Sequence, residues 1–390
     1  MANYKYLIVG AGMTADAAVR GIRDLDADGS IGLIGSDHNP PYNRPPLTKG
    51  LWKGKSLDSI WRGTQQFSVE QYLGRTVRSI DSANKVVRDD QGTEYRYETL
   101  LLATGGTPRR LPFGGEDIIY YRTLDDYHRL RELSNRYEHF GVIGGGFIGS
   151  EIAAALAMNG KKVSMLFPDT GIGANIYPKE ISDYLNLFFQ RKGVEVLPGS
   201  KVQDLKKVGN RYHLITVDDD TIQVDGVIAG IGIQPNVELA QAAGLKVGNG
   251  IIVDETLQTS QPDIFAAGDV AEFGSPTLGK QLRIEHEDNA NTMGKQVGRN
   301  MAGASESYNH LSYFYSDLFE LGYEAVGELD SRLETFVDWT KEYEKGVVYY
   351  LANGRVRGVL LWNVWDSVPK ARELISEPGP FSAANLKGRL

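Results

Sequence analysis

Short apolar runs that end in glycine-rich turns, each followed by an alanine-rich stretch, occur twice along the chain. In the first copy, the apolar run lies at residues 4–9, the turn at 10–15 and the next apolar run at 31–34. In the second copy, the same parts lie at 140–143, 144–149 and 162–167. Apolar runs punctuated by glycine are typical of strands that lead into tight turns. The two copies therefore predict two doubly wound α/β domains that bind nucleotides, the second with an alanine-rich helix at residues 151–158.

The remaining pattern is richer in strands. Residues 212–217 and 221–224 alternate in polarity around an acidic turn, which predicts a β-hairpin. Beyond about residue 308, apolar runs at 346–351 and 355–361 precede a helical pattern at about 367–375. This last region predicts a small α+β domain.

The 390 residues include no cysteine. This excludes a disulfide scaffold, a cysteine nucleophile, a zinc ion or iron–sulfur cluster held by cysteine, and a dithiol relay. Any redox chemistry must therefore reside in a cofactor.

The formal net charge is -8, which disfavours attraction to nucleic acid and to anionic lipid. The strand pattern begins at residue 4 and leaves no room for a signal peptide. No apolar run reaches the roughly 20 residues that a membrane-spanning helix needs. We therefore expect a cytoplasmic protein with no membrane span and no nucleic-acid partner.

Glycine-rich turns between a strand and a helix suit nucleotides, because backbone N–H groups and the helix N-terminus approach a pyrophosphate closely. Such sites also use an acid for the ribose hydroxyls. Asp37 lies 25 residues after Gly12, and Asp169 lies 23 residues after Gly146. No Lys or Arg occurs at residues 169–178, which favours NAD over NADP at the second site. Alternatively, either aspartate caps a helix or closes a surface turn.

Six segments, the two glycine-rich turns among them, support this interpretation; they lie at residues 10–18, 41–49, 103–109, 144–151, 232–236 and 266–269. In order, they resemble the signatures of FAD/NAD(P)H reductases with two dinucleotide-binding domains, over essentially the whole chain. Segments 166–169, 284–286, 315–317 and 322–327 are most similar to the oxidoreductase core of apoptosis-inducing factor. Ferredoxin, rubredoxin and putidaredoxin reductases are more distant relatives.

The resemblance implies an α/β fold with two Rossmann-like domains of the glutathione-reductase type and a small C-terminal α+β domain. The implied FAD-binding domain is discontinuous, at residues 1–111 and 247–307. It is interrupted by an NAD-binding domain at 112–246 and followed by the C-terminal domain at 308–390. FAD and NAD are the implied cofactors, and no metal is expected.

The resemblance also implies a set of cofactor-binding residues. They are Gly10, Gly12, Ala15, Asp37, Arg44, Lys49, Val77, Ala103, Thr104, Gly105, Arg122, Gly268, Asp269, Glu285, His286, Tyr315, Gly144, Gly146, Phe147, Ile148, Gly149, Glu151, Asp169 and Gly232. The catalytic residues that it implies among these are Lys49, Glu151, Phe147 and His286.

Lys49 is expected beside the flavin, paired with Glu151, where a cation stabilises the reduced ring. The alternatives are a solvated loop lysine and an ordinary acid in the first turn of a helix. Phe147 is expected to form a lid over the flavin, or else to pack in the core. Asp269 is expected at a helix start, holding ribityl or pyrophosphate oxygens.

Residues 285–288 combine three acids with a histidine. On one helix turn these side chains point in different directions, which argues against a metal site. The resemblance makes Glu285 and His286 the wall of the nicotinamide and flavin pocket. Tyr315 stands where the family usually has tryptophan, and Ser36, followed by Asp37, stands where it has the ribose acid.

The implied activity is an FAD-dependent NADH oxidoreductase that passes hydride to flavin N5 and electrons to an unidentified acceptor. An electron-carrier protein, a quinone or oxygen would serve as the acceptor. The alternatives are a ferredoxin or rubredoxin reductase, and a redox-responsive protein that senses NADH, dimerises and turns over slowly. For the redox-responsive protein, we expect a homodimer that forms on NADH binding.

Overall fold

The computed structural model describes residues 2–390. Its strands are β1 Ala2–Val9, β2 Ile31–Gly35, β3 Val69–Leu73, β4 Val77–Asp81, β5 Val86–Asp89, β6 Glu94–Leu102, β7 Gly106–Pro108, β8 Ile118–Tyr120, β9 His139–Ile143, β10 Lys162–Phe167, β11 Val194–Pro198, β12 Val202–Val208, β13 Arg211–Thr216, β14 Thr221–Val224, β15 Gly226–Ala229, β16 Ile233–Pro235, β17 Ile251–Ile252, β18 Ile264–Ala266, β19 Ala271–Ser275, β20 Lys280–Leu282, β21 Tyr313–Leu318, β22 Leu321–Gly327, β23 Glu334–Lys341, β24 Lys345–Ala352 and β25 Arg355–Trp362. Its α-helices are α1 Met13–Arg23, α2 Leu124–Arg136, α3 Phe147–Met158, α4 Lys179–Arg191, α5 Glu238–Ala242, α6 Glu287–Met301, α7 Val368–Ser376 and α8 Ala383–Leu386.

The chain divides into two compact units, each built from three segments. The first unit comprises Met1–Asn43, Ser56–Thr107 and Gln234–Ser312, and the second comprises Arg44–Lys55, Pro108–Ile233 and Tyr313–Leu390. The division into three domains stays a prediction.

The first unit is centred on a sheet of order β3-β2-β1-β6-β5-β4, with β18 also paired to β6. Strand β1 runs parallel to both β2 and β6. Its apolar end, Leu7 to Val9, is buried on both faces, as expected of a central parallel strand. The order β1, α1, β2 confirms the first nucleotide-binding pattern predicted from the sequence.

Helices α1 and α6 of the first unit pack with their backbones unusually close together. A Cβ atom added at Gly298 would lie 2.0 Å from the carbonyl oxygen of Ala18, and one added at Gly294 would lie 2.6 Å from that of Thr14. Only glycine permits this approach, so α6 fixes the position of α1 and of the turn that precedes it.

The second unit contains a parallel sheet of order β11-β10-β9-β15-β8, with α3 connecting β9 to β10. An antiparallel sheet β12-β13-β14 includes the predicted hairpin. The C-terminal part forms an antiparallel sheet β21-β22-β25-β24-β23, packed against α7. The second nucleotide-binding pattern and the C-terminal α+β region are confirmed.

Among residues 2–390, no helix is both long enough and apolar enough to cross a membrane. Within the same residues, no three His, Asp or Glu side chains are grouped as metal ligands would be.

Candidate functional site

The first glycine-rich turn leaves open space in front of α1. Gly10 has φ +130, and a Cβ there would lie 2.1 Å from the carbonyl oxygen of Ala103. Gly12 is the N-cap of α1, no side chain caps the helix there, and an added Cβ would meet no atom within 4 Å. N–H groups at a helix N-terminus beside open space fit the pyrophosphate of FAD.

Ala15 is fully buried one turn into α1. The predicted segment at 103–105 is hydrogen-bonded to Asn236, which lies in the third segment of the first unit, Gln234–Ser312. The Thr104 hydroxyl donates to the Asn236 carbonyl oxygen at 2.9 Å, and the Asn236 amide donates back to the Thr104 carbonyl oxygen at 2.8 Å. The Asn236 backbone N–H donates to the carbonyl oxygen of Gly105, which has φ +64.

Asp269 stands at the start of a 3-10 helix rather than an α-helix, so the expected helix start is present but short. It lies in a three-residue 3-10 turn, Gly268–Val270, which leads directly into β19. The Gly268 N–H donates to the Met293 sulfur at 3.3 Å, and φ of Gly268 is +79. The buried apolar residues on either side favour continuation as a strand, which limits the turn to three residues.

Arg283 is a candidate that the sequence reasoning missed. One of its terminal nitrogens donates to the Asp269 carbonyl oxygen at 3.0 Å and pairs with Glu285 at 2.7 Å. Its Nε is buried and has no hydrogen-bond partner within residues 2–390. A buried donor of this kind suits an anionic cofactor. Its signal in the sequence is weak, because it is a single arginine directly after the short strand β20.

Residues 285–288 do not share one helix turn, which corrects the sequence expectation. Helix α6 begins at Glu287, His286 is its N-cap with extended backbone, and Glu285 precedes it. Burial lowers the pKa of His286 to about 4, although Asp269 opposes that shift. The imidazole is therefore neutral near pH 7.

Asp37 closes a loop in this structure. Its carboxylate accepts from the Asn39 backbone N–H at 2.9 Å and from the Tyr42 hydroxyl at 3.0 Å. Ser36, the family position for a ribose acid, is exposed beside it. Val77 is half-buried at the start of β4. Their roles in binding FAD stay predictions.

The second glycine-rich turn repeats the geometry of the first within the second unit. Gly144 has φ +116, and a Cβ there would lie 2.3 Å from the Gly230 carbonyl oxygen. A Cβ at Gly149 would lie 2.0 Å from the Gly144 carbonyl oxygen. Gly146, the N-cap of α3, again faces open space. The turn fits a second dinucleotide.

Phe147 and Ile148 lie on the first turn of α3, which begins four residues before the predicted helix. Phe147 is half-buried, and its ring meets that of Phe314 edge-on at 5.1 Å. Ile148 is 37% exposed. Asp169, two residues after β10, is exposed. The carbonyl oxygen of Gly232 accepts from the Arg109 backbone N–H at 2.9 Å.

Lys49 and Glu151 form a buried ion pair. Lys49 Nζ lies 2.7 Å from Glu151 Oε2, with only 12% of the lysine side chain and 4% of the glutamate side chain exposed. Lys49 Nζ also lies 5.2 Å from the centre of the Tyr315 ring. The ion pair rules out the solvated-lysine alternative, while the place of both residues beside a flavin stays a prediction.

The proline-rich loop that carries Lys49 is held by two buried aromatic side chains. The Tyr121 hydroxyl and the Trp52 indole N–H both donate to the Leu47 carbonyl oxygen, at 2.5 Å and 2.9 Å. Arg44 is half-buried at the start of this loop's 3-10 turn. Arg122 is half-buried, and its backbone N–H donates to the Asp126 carboxylate near the start of α2.

Comparison with known proteins gives two family matches. The pyridine nucleotide-disulphide oxidoreductase family matches residues 4–294. The C-terminal family of mitochondrion-associated apoptosis-inducing factor matches residues 297–342 and 337–377.

Individual relatives agree with these families. Apoptosis-inducing factor 1, mitochondrial, from Dictyostelium discoideum is 33% identical over 96% of this chain and 78% of its own length. The ferredoxin–NAD(+) reductase component of the anthranilate 1,2-dioxygenase system of Burkholderia cepacia is 32% identical over 95% of this chain and 94% of its own. The crystal structure of a covalent putidaredoxin reductase–putidaredoxin complex matches with TM-score 0.92 and 29% identity, over 98% of this chain and 95% of that one. The chain therefore belongs to the pyridine nucleotide-disulphide oxidoreductase family and is an FAD-dependent NAD(P)H oxidoreductase.

Proposed function

We propose that the chain is an NADH oxidoreductase of the apoptosis-inducing-factor type. The buried ion pair of Lys49 and Glu151 carries this proposal, because it holds one positive charge in a fixed place. When bound, FAD supplies the redox chemistry, which is to accept a hydride at N5 and to release electrons to an acceptor. Since the chain has no cysteine, no protein thiol takes part.

The residues of the chain would act by position and charge rather than by acid–base catalysis. Lys49 would stabilise negative charge that develops on the ring system during reduction, and Glu151 keeps its ammonium paired and aimed. Phe147, packed on Phe314, would cover the reacting face until the nicotinamide arrives. We propose the remaining predicted binding residues as the two dinucleotide sites.

The C-terminal part of the chain favours this type over a ferredoxin reductase. Residues 297–377 match the C-terminal family of apoptosis-inducing factor. From residue 309 to the end there are nine basic and twelve acidic residues, a net charge of -3. An acidic carrier such as ferredoxin calls for a basic docking face.

A ferredoxin reductase is the second candidate, favoured by the names of the bacterial relatives. Basic residues outside the C-terminal region could supply the docking face. Three candidates for it are already engaged: Arg62 pairs with the buried Asp16 at 2.7 Å, Arg75 with the buried Asp89 at 3.0 Å, and Lys53 with Asp317 at 3.1 Å. Lys53, Lys55 and Arg78 are exposed.

Anaerobic titration of the FAD-loaded protein with NADH, and separately with NADPH, tests the proposal. We expect NADH to bleach the flavin spectrum and to leave a long-wavelength band that persists in air. A flavin that NADH does not bleach would contradict the proposed function. Rapid reoxidation by an added ferredoxin would instead support the ferredoxin reductase.

Size-exclusion chromatography with and without NADH tests the remaining alternative. Slow turnover with every acceptor, together with an NADH-dependent increase in mass, would support a redox-responsive protein that dimerises. A cytoplasmic location and the three-domain division are also proposals. Fractionation of the source cells tests the first, and limited proteolysis tests the second.

A further inference from the structure

A chain of buried hydroxyl groups leads to Glu151 within the second unit. The Tyr177 hydroxyl donates to the Tyr323 hydroxyl at 2.7 Å. Tyr323 is the cross-strand partner of Ser316 on strands β22 and β21. The Ser316 hydroxyl donates to Glu151 Oε1 at 2.6 Å. All four side chains belong to residues that are less than 5% exposed.

Counting donors and acceptors gives this chain one direction. The Glu151 carboxylate only accepts, so Ser316 must use its single proton on it. The Ser316 oxygen is then left to accept, and Tyr323, which faces it and whose own oxygen accepts from Tyr177, has its proton available for that bond. Each hydroxyl thus points its proton toward the carboxylate, and successive hydrogen bonds of this kind strengthen one another.

The second carboxylate oxygen is held from the other side. Glu151 Oε2 accepts from the Thr48 hydroxyl at 2.5 Å and from the Lys49 ammonium at 2.7 Å. Donors on both oxygens fix the rotation of the carboxylate about its last bond. Because Lys49 is tied to that carboxylate, its ammonium is fixed as well.

The Tyr323 ring is itself immobilised. It stacks on Trp362, with centroids 5.9 Å apart and planes 5° apart. Tyr177 and Phe314 meet it edge-on at 5.8 Å and 6.1 Å. Moving the Tyr323 hydroxyl would require repacking of all three neighbouring rings, so Tyr323 is a rigid member of the chain of hydroxyls.

The chain is unsuited to carrying protons. Delivery of a proton to Glu151 through it would leave a phenolate on Tyr177, which is enclosed by protein. Burial raises the pKa of Tyr177 well above its usual value, and the hydrogen bond with Tyr323 offsets only part of that shift. Holding the carboxylate in place is therefore the role that the geometry supports.

We propose that Ser316, Tyr323 and Thr48 are positioning residues that act through Glu151 to fix the Lys49 ammonium. The inference rests on the proposed function, in which that ammonium faces the flavin. It adds a specific dependence of flavin reduction on hydroxyl groups that bind Glu151 rather than the Lys49 ammonium.

The test compares Ser316→Ala, Tyr323→Phe and Thr48→Val with the wild type, each loaded with FAD. The readouts are the rate constant of flavin bleaching at saturating NADH, the NADH concentration for half-maximal rate, and the two-electron potential. For Ser316→Ala we expect a rate about tenfold lower, since a hydrogen bond to a charged group is lost. The half-maximal NADH concentration should change less than about threefold, as expected for an interaction outside ground-state binding.

The potential should fall together with the rate. A tenfold loss in preference for the reduced state corresponds to about 30 mV for a two-electron couple. Tyr323→Phe should have a smaller effect, about threefold in rate. The double variant should be no slower than Ser316→Ala alone, because Tyr323 acts only through Ser316.

Tyr350→Phe is the matched control. Tyr350 is also fully buried in the second unit, but its hydroxyl donates to the Ile176 carbonyl oxygen. The control should keep the wild-type rate and potential. If one variant fails to fold, Thr48→Val still removes a donor to Glu151 with little change in volume.

The outcomes separate this inference from the proposed function. Wild-type rates and potentials in all folded variants, with normal bleaching by NADH, would overturn the inference and leave the proposed function standing. Fully additive effects of Ser316→Ala and Tyr323→Phe would show that Tyr323 does not act through Ser316 and would overturn that part of the inference. A wild-type flavin that NADH does not reduce would contradict the proposed function itself.

Discussion

Glu151 is a buried carboxylate with hydrogen-bond donors on both oxygens. We therefore expect it to contribute to folding stability as well as to the site. Glu151→Ala would leave the Lys49 ammonium and the Thr48 and Ser316 hydroxyls buried without their acceptor. Breaking a buried pair on one side costs about 3–5 kcal/mol. We expect the free energy of unfolding, measured in denaturant, to fall by about 3 kcal/mol.

Glu132→Ala is the control for that loss. Glu132 pairs with Arg136 on α2, and both side chains are more than 60% exposed. Exposed pairs contribute about 0–1 kcal/mol, so this variant should unfold close to the wild type. Equal losses in both variants would contradict the assignment of Glu151 to a buried network.

His286 predicts a pH dependence of stability. Because burial lowers its pKa to about 4 in the folded protein, the unfolded chain binds a proton more readily between about pH 6.5 and pH 4. Stability should therefore fall as the pH is lowered through that window, by up to about 1.4 kcal/mol per pH unit. Thermal unfolding of His286→Gln should show a shallower slope there than the wild type. Parallel slopes would contradict the shift.

The resemblance identified the pair of Lys49 and Glu151, but sequence reasoning did not find Ser316 or Thr48 as its partners. Ser316 lies 165 residues from Glu151, and a lone serine on a strand carries no pattern that reveals such a contact. Arg283 was missed for the same reason. Periodicity reports which face of an element is buried, whereas these contacts depend on how distant segments meet.

At the scale of elements, the two glycines of each turn have separable roles. A Cβ at Gly10 would meet backbone at 2.1 Å, whereas one at Gly12 would meet nothing within 4 Å. Gly12→Ala should therefore fold normally yet lose FAD affinity, because the methyl group occupies the open space before α1. Gly10→Ala should destabilise the fold itself.

Circular dichroism and bound FAD per chain distinguish these two variants. The second turn repeats the comparison: Gly146→Ala should keep FAD and weaken NADH binding, while Gly144→Ala, 2.3 Å from a carbonyl oxygen, should destabilise. Normal FAD content in Gly12→Ala would contradict the assignment of the first turn.

Sequence patterns located most helices and strands that surround the site. The errors are in the length or the first residue of helices. Strands β10 and β14 have the predicted bounds, because β10 is a continuous buried run and β14 follows an acidic turn with alternating polarity. The expected helix after Gly268 is a single turn, and α6 begins later than expected. Local propensity cannot distinguish one helical turn from several when tertiary packing decides the end.

At the scale of the whole molecule, we expect the choice of coenzyme to depend on the loop after β10. Residues 169–178 contain no Lys or Arg, and Thr170 is exposed beside Asp169. A guanidinium there would accommodate a 2′-phosphate. We expect Thr170→Arg to raise the ratio of kcat/KM for NADPH to kcat/KM for NADH by about tenfold. This factor corresponds to the free energy of one hydrogen bond between charged groups.

Val208→Arg controls for the added charge. Val208 is exposed on β12, also in the second unit. It should leave the ratio unchanged in steady-state assays with a dye acceptor. An equal rise in both variants would show that net charge, rather than the loop after β10, sets the preference.

Glu151 and its partners come from three separate segments of the second unit, which has a consequence for the protein as it is made. Thr48 and Lys49 leave the ribosome before Glu151, but Ser316 follows 165 residues later. At about 5–20 residues per second, that interval is roughly 8–33 s. During it the nascent carboxylate has its cation but no donor on Oε1. The order of synthesis thus pairs the charges first and fixes their geometry last.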